Sequence, residues 1–352
     1  MSNVSSSPSE FNSSLVGKAS TNGTEPENEF KLLTSPLIIL MSFMCLLIVS
    51  ENGLIIFLMC RKKILRTLTN MFLTSLALSD LTSGLARMPL LFICMEMDVS
   101  IIVCVASAVF NRFTAISSVC HVLLIAADRY IFIVHDMKYR AFVTKRRAVV
   151  ATIAVWLISI LASVVQLSWY IFHGLEIGDR NAFMDDLNKQ YGLACIVLFF
   201  AGPFLLIFYI YGRIFYISYK LNQNDRKRIR TYNYKQPSGS LRHEWRGRSV
   251  LLITLIIFGG CWLPYFFGVL HDHMSSSEDS TLPIWSQRLQ ICLGFIPMML
   301  NPILCTLAKK DFRHALKEIV IGRNSLRHFN QDISLQTTRE RFRTIDSESE
   351  RN

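Results

Sequence analysis

Charge is scarce in this 352-residue chain: 18% of residues are charged and 51% hydrophobic, where ordinary soluble domains carry about a quarter charged residues. The mean hydropathy is +0.34, which argues against a cytosolic enzyme. No CxxC pair occurs among the nine cysteines, and this excludes a zinc ribbon or a small disulfide scaffold. No internal repeat is visible, which counts against transporters built from two related halves, and no polar stripe runs along several segments as a channel needs. His243-Glu244 does not continue as HExxH, His271-Asp272-His273 falls in a polar loop, and of eight histidines only His121 lies deep in an apolar segment. The alternative of a membrane enzyme, such as a metal-dependent hydrolase, therefore lacks its ligand set. The net charge of +11 comes in short basic runs between apolar stretches, so no basic face is offered to nucleic acid.

What is present is a set of seven apolar segments, at about 36–60, 68–94, 101–133, 148–171, 191–219, 247–270 and 284–307. Each can supply the roughly 20 residues that cross a bilayer as a helix. Basic residues cluster after segment one (Arg61, Lys62, Lys63, Arg66), after segment three (Lys138, Arg140, Lys145, Arg146, Arg147) and after segment five, whereas 95–100 and 271–283 hold no Lys or Arg. The positive-inside rule then predicts an outer N-terminus and an inner C-terminus. Residues 1–35 read as an extracellular tail with glycosylation sequons at Asn3, Asn12 and Asn22. No apolar core precedes segment one, so the expectation is no cleaved signal and a self-anchoring first span. Residues 36–307 form the bundle, 308–321 a short amphipathic helix, and 322–352 a polar tail that reads as disordered and cytoplasmic.

Polar residues inside the spans are costly and tend to be functional. Asn52, Asp80, Ser118 and Asn301 fall near mid-membrane. Either they form one cluster that holds water or a small cation, or each bonds a neighbouring carbonyl. Asp128-Arg129-Tyr130 ends span three, and the arginine needs acceptors: Asp128 is adjacent, and Glu244 stands where span six begins. Such a latch is breakable, because water and a cytoplasmic partner both compete for the guanidinium. Pro203, Pro264 and Pro302 predict kinks in spans five, six and seven, with Trp262 and Phe258 on one face beside the second.

In order and spacing these residues resemble the rhodopsin-like (class A) G-protein-coupled receptors. The matches are Asn52, Leu76-Ala77-Leu78-Ser79-Asp80, Cys104, Asp128-Arg129-Tyr130, Trp156, Pro203 with Tyr211, Phe258 with Cys261-Trp262-Leu263-Pro264, Asn301-Pro302, and Phe312 in the helix after span seven. The resemblance implies an all-α membrane fold: a seven-transmembrane helix bundle with a short amphipathic eighth helix, in the plasma membrane. It implies a receptor, not an enzyme, that passes an extracellular signal to a heterotrimeric G protein. Arrestin and a receptor kinase would act on the Ser/Thr-bearing tail, and lipid would surround the bundle. By the same resemblance Asp80, Ser118 and Asn301 form a sodium pocket, the one cofactor candidate. Trp262 is the toggle under the ligand, and Val119, Pro203 and Phe258 connect it to the core. Arg129 meets the G protein, Met137 is an apolar knob of the second inner loop, and Tyr211 acts in the active state.

Several positions depart from the pattern. Cys305 stands where the family usually has tyrosine, and Pro297 and Met298 replace small polar residues near the sodium site. Cys104 finds no cysteine in 172–191; Cys94 or Cys195 is the substitute partner, or Cys104 stays free. The missing loop cysteine, the Glu51-Asn52 pair and Lys310-Asp311-Phe312-Arg313-His314-Ala315 look similar to the branch holding lysophospholipid, cannabinoid and melanocortin receptors.

Asn111 replaces the aspartate that amine receptors use in span three, and no lysine lies between Leu289 and Ala308 for a retinal Schiff base. These residues argue against a monoamine and against light reception. Arg87, seven residues after Asp80, shares its helix face; it either snorkels to the outer headgroups or meets a ligand. Arg112 and Arg288, with Trp169, Tyr170, Phe199, Tyr265, Phe266 and Trp285, outline an aromatic cup. The expectation is an acidic or neutral ligand, with lipid and peptide both open.

Overall fold

A computed structural model of the chain describes residues 26–96, 101–135, 138–165, 167–168, 182–232, 256–264, 266–268, 270–271, 283–308 and 310–320. These are helical apart from short connections, and no strand occurs among them. The inner ends of the spans are those that the basic runs mark, and the outer ends are opposite.

Span one lies in a helix over Pro26–Arg61, which begins ten residues before the apolar segment does. The expected tail thus includes one end of a helix. Span two runs as Leu68–Thr82, a π-turn at Ser83–Arg87, and Met88–Glu96. Span three is Ile101–Val134, followed by a single turn at Tyr139–Phe142. Span four, Lys145–Val164, starts and ends earlier than its apolar segment. Span five joins Ala182–Ile196, a π-turn at Val197–Ala201 and Gly202–Tyr232. Residues 256–264 and 266–268 are helical in span six, and span seven is Ile284–Ala308. The C-terminal helix is Lys310–Val320.

Threonines open two spans. Thr67 and Thr144 sit in extended conformation and accept hydrogen bonds from the backbone N–H of Asn70 and Arg147, which caps spans two and four. The two π-turns share a cause. Each stops two residues before a proline, Pro89 in span two and Pro203 in span five. The backbone N–H of Met88 reaches Ser83 O, and that of Gly202 reaches Val197 O. A proline ring clashes with the carbonyl four residues earlier and cannot bond it, and widening the preceding turn relieves both problems. Pro203 therefore acts through a wide turn. Pro89 does the same in span two.

Span three packs against spans two, four and five and forms the axis of the bundle. The main core runs from Ile55 and Leu58 through Val119 and Ile207 to Phe258 and Trp262. A second cluster joins spans one, two and seven through Ile48, Met88, Phe295 and Met298. Large apolar side chains cover the outside: Ile39, Phe43 and Leu46 of span one, Leu157 and Leu161 of span four, and Leu198 and Leu205 of span five are all exposed. That inversion is what a lipid-facing surface requires. Five described helices are long and apolar enough to cross a membrane. Lys62 pairs with Glu318 at 2.7 Å, and the buried Phe312 and Ala315 seat the C-terminal helix against the inner end of the core.

Candidate functional site

At the inner end of span three, Asp128 is buried and bound three ways. Thr69 Oγ1 donates to Oδ2 at 2.7 Å, the Tyr139 hydroxyl donates to Oδ1 at 2.7 Å, and Arg129 Nη2 lies 3.3 Å from Oδ2. Span two supplies Thr69 through its capped first turn, and the single inner turn supplies Tyr139. Burial, together with the bond to Asp128 and its negative charge, pushes the Tyr139 phenol up from its ordinary range, so it stays a donor at neutral pH. The carboxylate has two partners at shorter range than Arg129. The guanidinium also lies over Phe132, 5.7 Å from the ring centroid, and keeps part of its surface open. Neither Thr69 nor Tyr139 carries a sequence signal, because each meets Asp128 only through the fold. Tyr130 is half-buried against the core and Tyr211 is buried in it. Met137, Glu244, Tyr265, Trp169, Tyr170 and the sequons at Asn3, Asn12 and Asn22 lie outside the described residues, as does the side chain of Cys305.

Mid-bundle, the structure brings Asp80, Ser118 and Asn301 together. Asn301 Nδ2 donates to Asp80 Oδ2 at 2.8 Å, and Ser118 Oγ lies 3.5 Å from Oδ1. Asn52 instead donates to the carbonyls of Ile48 and Met298, at 2.9 and 3.2 Å. Three of the four mid-membrane polar residues are thus grouped, and the fourth, Asn52, bonds carbonyls instead. One level inward is a chain the sequence did not announce. Trp156 Nε1 donates to Ser75 Oγ at 2.8 Å, Ser75 meets His121 Nε2 at 2.8 Å, and His121 Nδ1 lies 2.7 Å from Ser117 O. A carbonyl only accepts, so Nδ1 carries the proton and Nε2 accepts from Ser75. His121 is thus a polar staple linking spans two, three and four.

Hard cations select oxygen ligands, and the pocket at Asp80 provides few. Asn301 turns its N–H toward the carboxylate, and the neighbouring positions of span seven are Pro297 and the buried Met298. Asn52 Oδ1 and Ser83 Oγ are buried without a hydrogen-bond partner among the described residues; as neutral oxygens they suit an ordered water. The protein oxygens brought together here are those of the Asp80 carboxylate and the Ser118 hydroxyl.

Under the outer half lies an aromatic stack. Phe200 is 5.1 Å from Trp262, Phe204 is 5.4 Å from Phe258, and Trp262 stacks on Phe266 at 6.2 Å. Val119 is fully buried in the same core, and Pro203 adjoins Phe204. The outer cations separate. Arg112 lies over Tyr191, 4.9 Å from its centroid, while the Tyr191 hydroxyl donates to Ala162 O. Asn111 is half-buried beside it, and Arg288 is buried near the outer end of span seven. Arg87 does not snorkel: it is 4% exposed and lies over Phe295. The ring offers a closer favourable contact than headgroups about 10 Å of helix away.

Cys104 is bonded to Cys94, and Cys195 is a free, buried thiol. The bond closes the connection between spans two and three, joining cysteines ten positions apart in sequence. Loop-closure entropy for so short a loop is worth about 2–3 kcal/mol. Cys94→Ser and Cys104→Ser should each lower the thermal midpoint of the purified protein by the same amount, and the double substitution by no more. Additive losses in a thermal melt would contradict a shared bond.

This all-helical bundle, with an acid–arginine cluster at one end and an aromatic stack beneath the other, has the architecture of a membrane receptor. A family model for the 7 transmembrane receptor (rhodopsin family) matches residues 51–304, and the chain belongs to that family. Its relatives include the histamine H2 receptor of Rattus norvegicus, 25% identical over 290 residues that cover 80% of this chain and 78% of the relative. The melatonin receptor type 1A of Gallus gallus is 24% identical over 309 residues, covering 86% and 85%. The histamine H2 receptor of Cavia porcellus is 25% identical over 317 residues, covering 85% and 83%. The relatives are receptors, so the chain is a multi-pass membrane receptor and not an enzyme.

Proposed function

We propose that this receptor is gated by an extracellular ligand, couples to heterotrimeric G proteins through Arg129, and is held inactive by the cluster around Asp128. The observation that carries this reading is the three-way binding of Asp128, which fixes the base of span three while leaving the guanidinium partly open. An agonist acts by preferring the conformation in which the inner ends of spans five and six move apart, and only differential affinity for the two states achieves that. The wide turns before Pro89 and Pro203 give spans two and five places to yield. Trp262, Phe258, Val119 and Pro203 transmit the change, and Tyr211, Asn301 and Pro302 complete it at the inner side. Glu244 offers Arg129 a further inactive-state partner, and Met137 contacts the G protein. Arrestin and a receptor kinase engage the Ser/Thr residues of the C-terminal tail. The N-terminus is extracellular and carries glycans at Asn3, Asn12 or Asn22, so glycosidase treatment should increase gel mobility; an epitope before Lys31 that stains only permeabilised cells would reverse the topology.

The ligand is acidic or neutral. Asn111 cannot supply the carboxylate that pairs with an ammonium, and Arg288 places a buried cation near the mouth. The exclusion of a monoamine rests on Asn111 alone, since histamine receptors stand among the relatives, and the likeness to the lysophospholipid branch rests on the residues that suggested it. A charge-assisted bond is worth about 1.5–3 kcal/mol, so Arg288→Ala should lower the potency of an acidic agonist roughly tenfold to a hundredfold with the maximal response preserved. The agonist is found by screening compounds sorted by charge against second-messenger output. A cationic agonist whose potency is indifferent to Arg288 would overturn this assignment.

A further inference from the structure

Asp80 is completely buried, and an ionised carboxylate inside a membrane bundle needs a compensating positive charge nearby. Arg87 is positioned to supply it. The π-turn Ser83–Arg87 brings the side chain into the bundle, with its guanidinium carbon 4.2 Å from the Phe295 centroid. Nη1 lies 3.9 Å from the Met298 sulfur, and Nη2 lies beside Gly294, 3.6 Å from where a Cβ would stand. Met298 precedes Asn301 by three residues, roughly 4.5 Å along a helix axis, and Asn301 bonds Asp80 directly. The arginine, two turns outward in sequence, thus reaches back to the level just above the carboxylate.

We propose that the Arg87 guanidinium is a tethered replacement for a diffusible cation at Asp80, so that the mid-bundle pocket is charge-balanced without sodium. A sodium ion added to the pair would give the pocket a net positive charge beside a guanidinium, in surroundings where screening is weak. The ligand chemistry points the same way: Met298 and Pro297 present sulfur and ring carbon, and Asn301 presents its N–H to Asp80. The buried Asn52 Oδ1 and Ser83 Oγ remain for water. Arg87 is then part of the switch region and not a ligand contact.

The test is the thermal midpoint of the purified receptor in sodium chloride against choline chloride at equal ionic strength, a readout independent of any signalling role. The wild-type midpoint should not move as sodium replaces choline, and Arg87→Lys should behave alike. Arg87→Gln should be less stable and should acquire a sodium-dependent rise, by mass action on an ion bound to the folded state. Adding Asp80→Asn to Arg87→Gln should recover stability and remove the sodium dependence, because charge partners couple in a double-mutant cycle. A wild-type midpoint that rises with sodium and loses that rise in Asp80→Asn overturns the proposal. So does Arg87→Gln that folds yet ignores sodium. If Arg87→Gln alone does not fold, recovery of folded receptor by the double substitution supports the pairing, and failure to recover it overturns it.

Discussion

Asp128→Asn should raise ligand-independent signalling at equal surface expression. The carboxylate is the common acceptor for Thr69, Tyr139 and Arg129, and it is buried, so its bonds are poorly replaced by water. Asparagine keeps the shape and one acceptor oxygen but loses the charge that draws the guanidinium. Losing about 1.5–3 kcal/mol from the inactive state shifts the ratio of active to inactive receptor roughly tenfold to a hundredfold. Tyr139→Phe removes one uncharged donor and should give a smaller rise in the same direction. The readout is basal second-messenger output normalised to surface receptor. If Asp128→Asn leaves basal output unchanged, the carboxylate does not hold the resting state.

Phe258→Ala should be the most destabilising single truncation in the aromatic stack. The ring is 1% exposed and packs on Phe204 and Trp262 at centroid distances of 5.4 and 6.2 Å. In a soluble protein the loss combines a transfer cost with a cavity cost, about 3–5 kcal/mol for Phe→Ala. Lipid is as apolar as the bundle interior, so the transfer contribution shrinks and the lost packing dominates. The expected loss is therefore about 3 kcal/mol, at the lower end of that range. Leu205→Ala, 72% exposed on span five, should be close to neutral. Thermal melts of the purified variants decide the matter: equal losses would mean that Phe258 is not a packing centre.

The spans were legible because the bilayer imposes one strong rule, a long apolar helix for each crossing, and charge asymmetry marks the ends. Depth in the membrane grouped Asn52, Asp80, Ser118 and Asn301, and the family resemblance implied the narrower set of Asp80, Ser118 and Asn301 that the structure joins. What the sequence did not reveal depends on contacts between helices. Thr69 and Tyr139 are ordinary residues until span two and the inner turn bring them to Asp128. Ser75 and Ser117 gain meaning only from the ring of His121 between them. Pro89 carries a readable signal, since a proline inside an apolar span predicts a disturbed turn just before it. Arg87 illustrates the limit of depth arguments: its height in the membrane follows from counting, but its direction follows from where Phe295 and Met298 lie.

The most direct measurement is guanine-nucleotide exchange on a panel of purified heterotrimeric G proteins, driven by the receptor in lipid nanodiscs. We expect exchange above the receptor-free rate for at least one G-protein class, a faster rate with Asp128→Asn, and a return to the receptor-free rate with Arg129→Ala at equal receptor concentration. Exchange that is indifferent to Arg129→Ala, or that is absent for every class even with Asp128→Asn, would contradict the account.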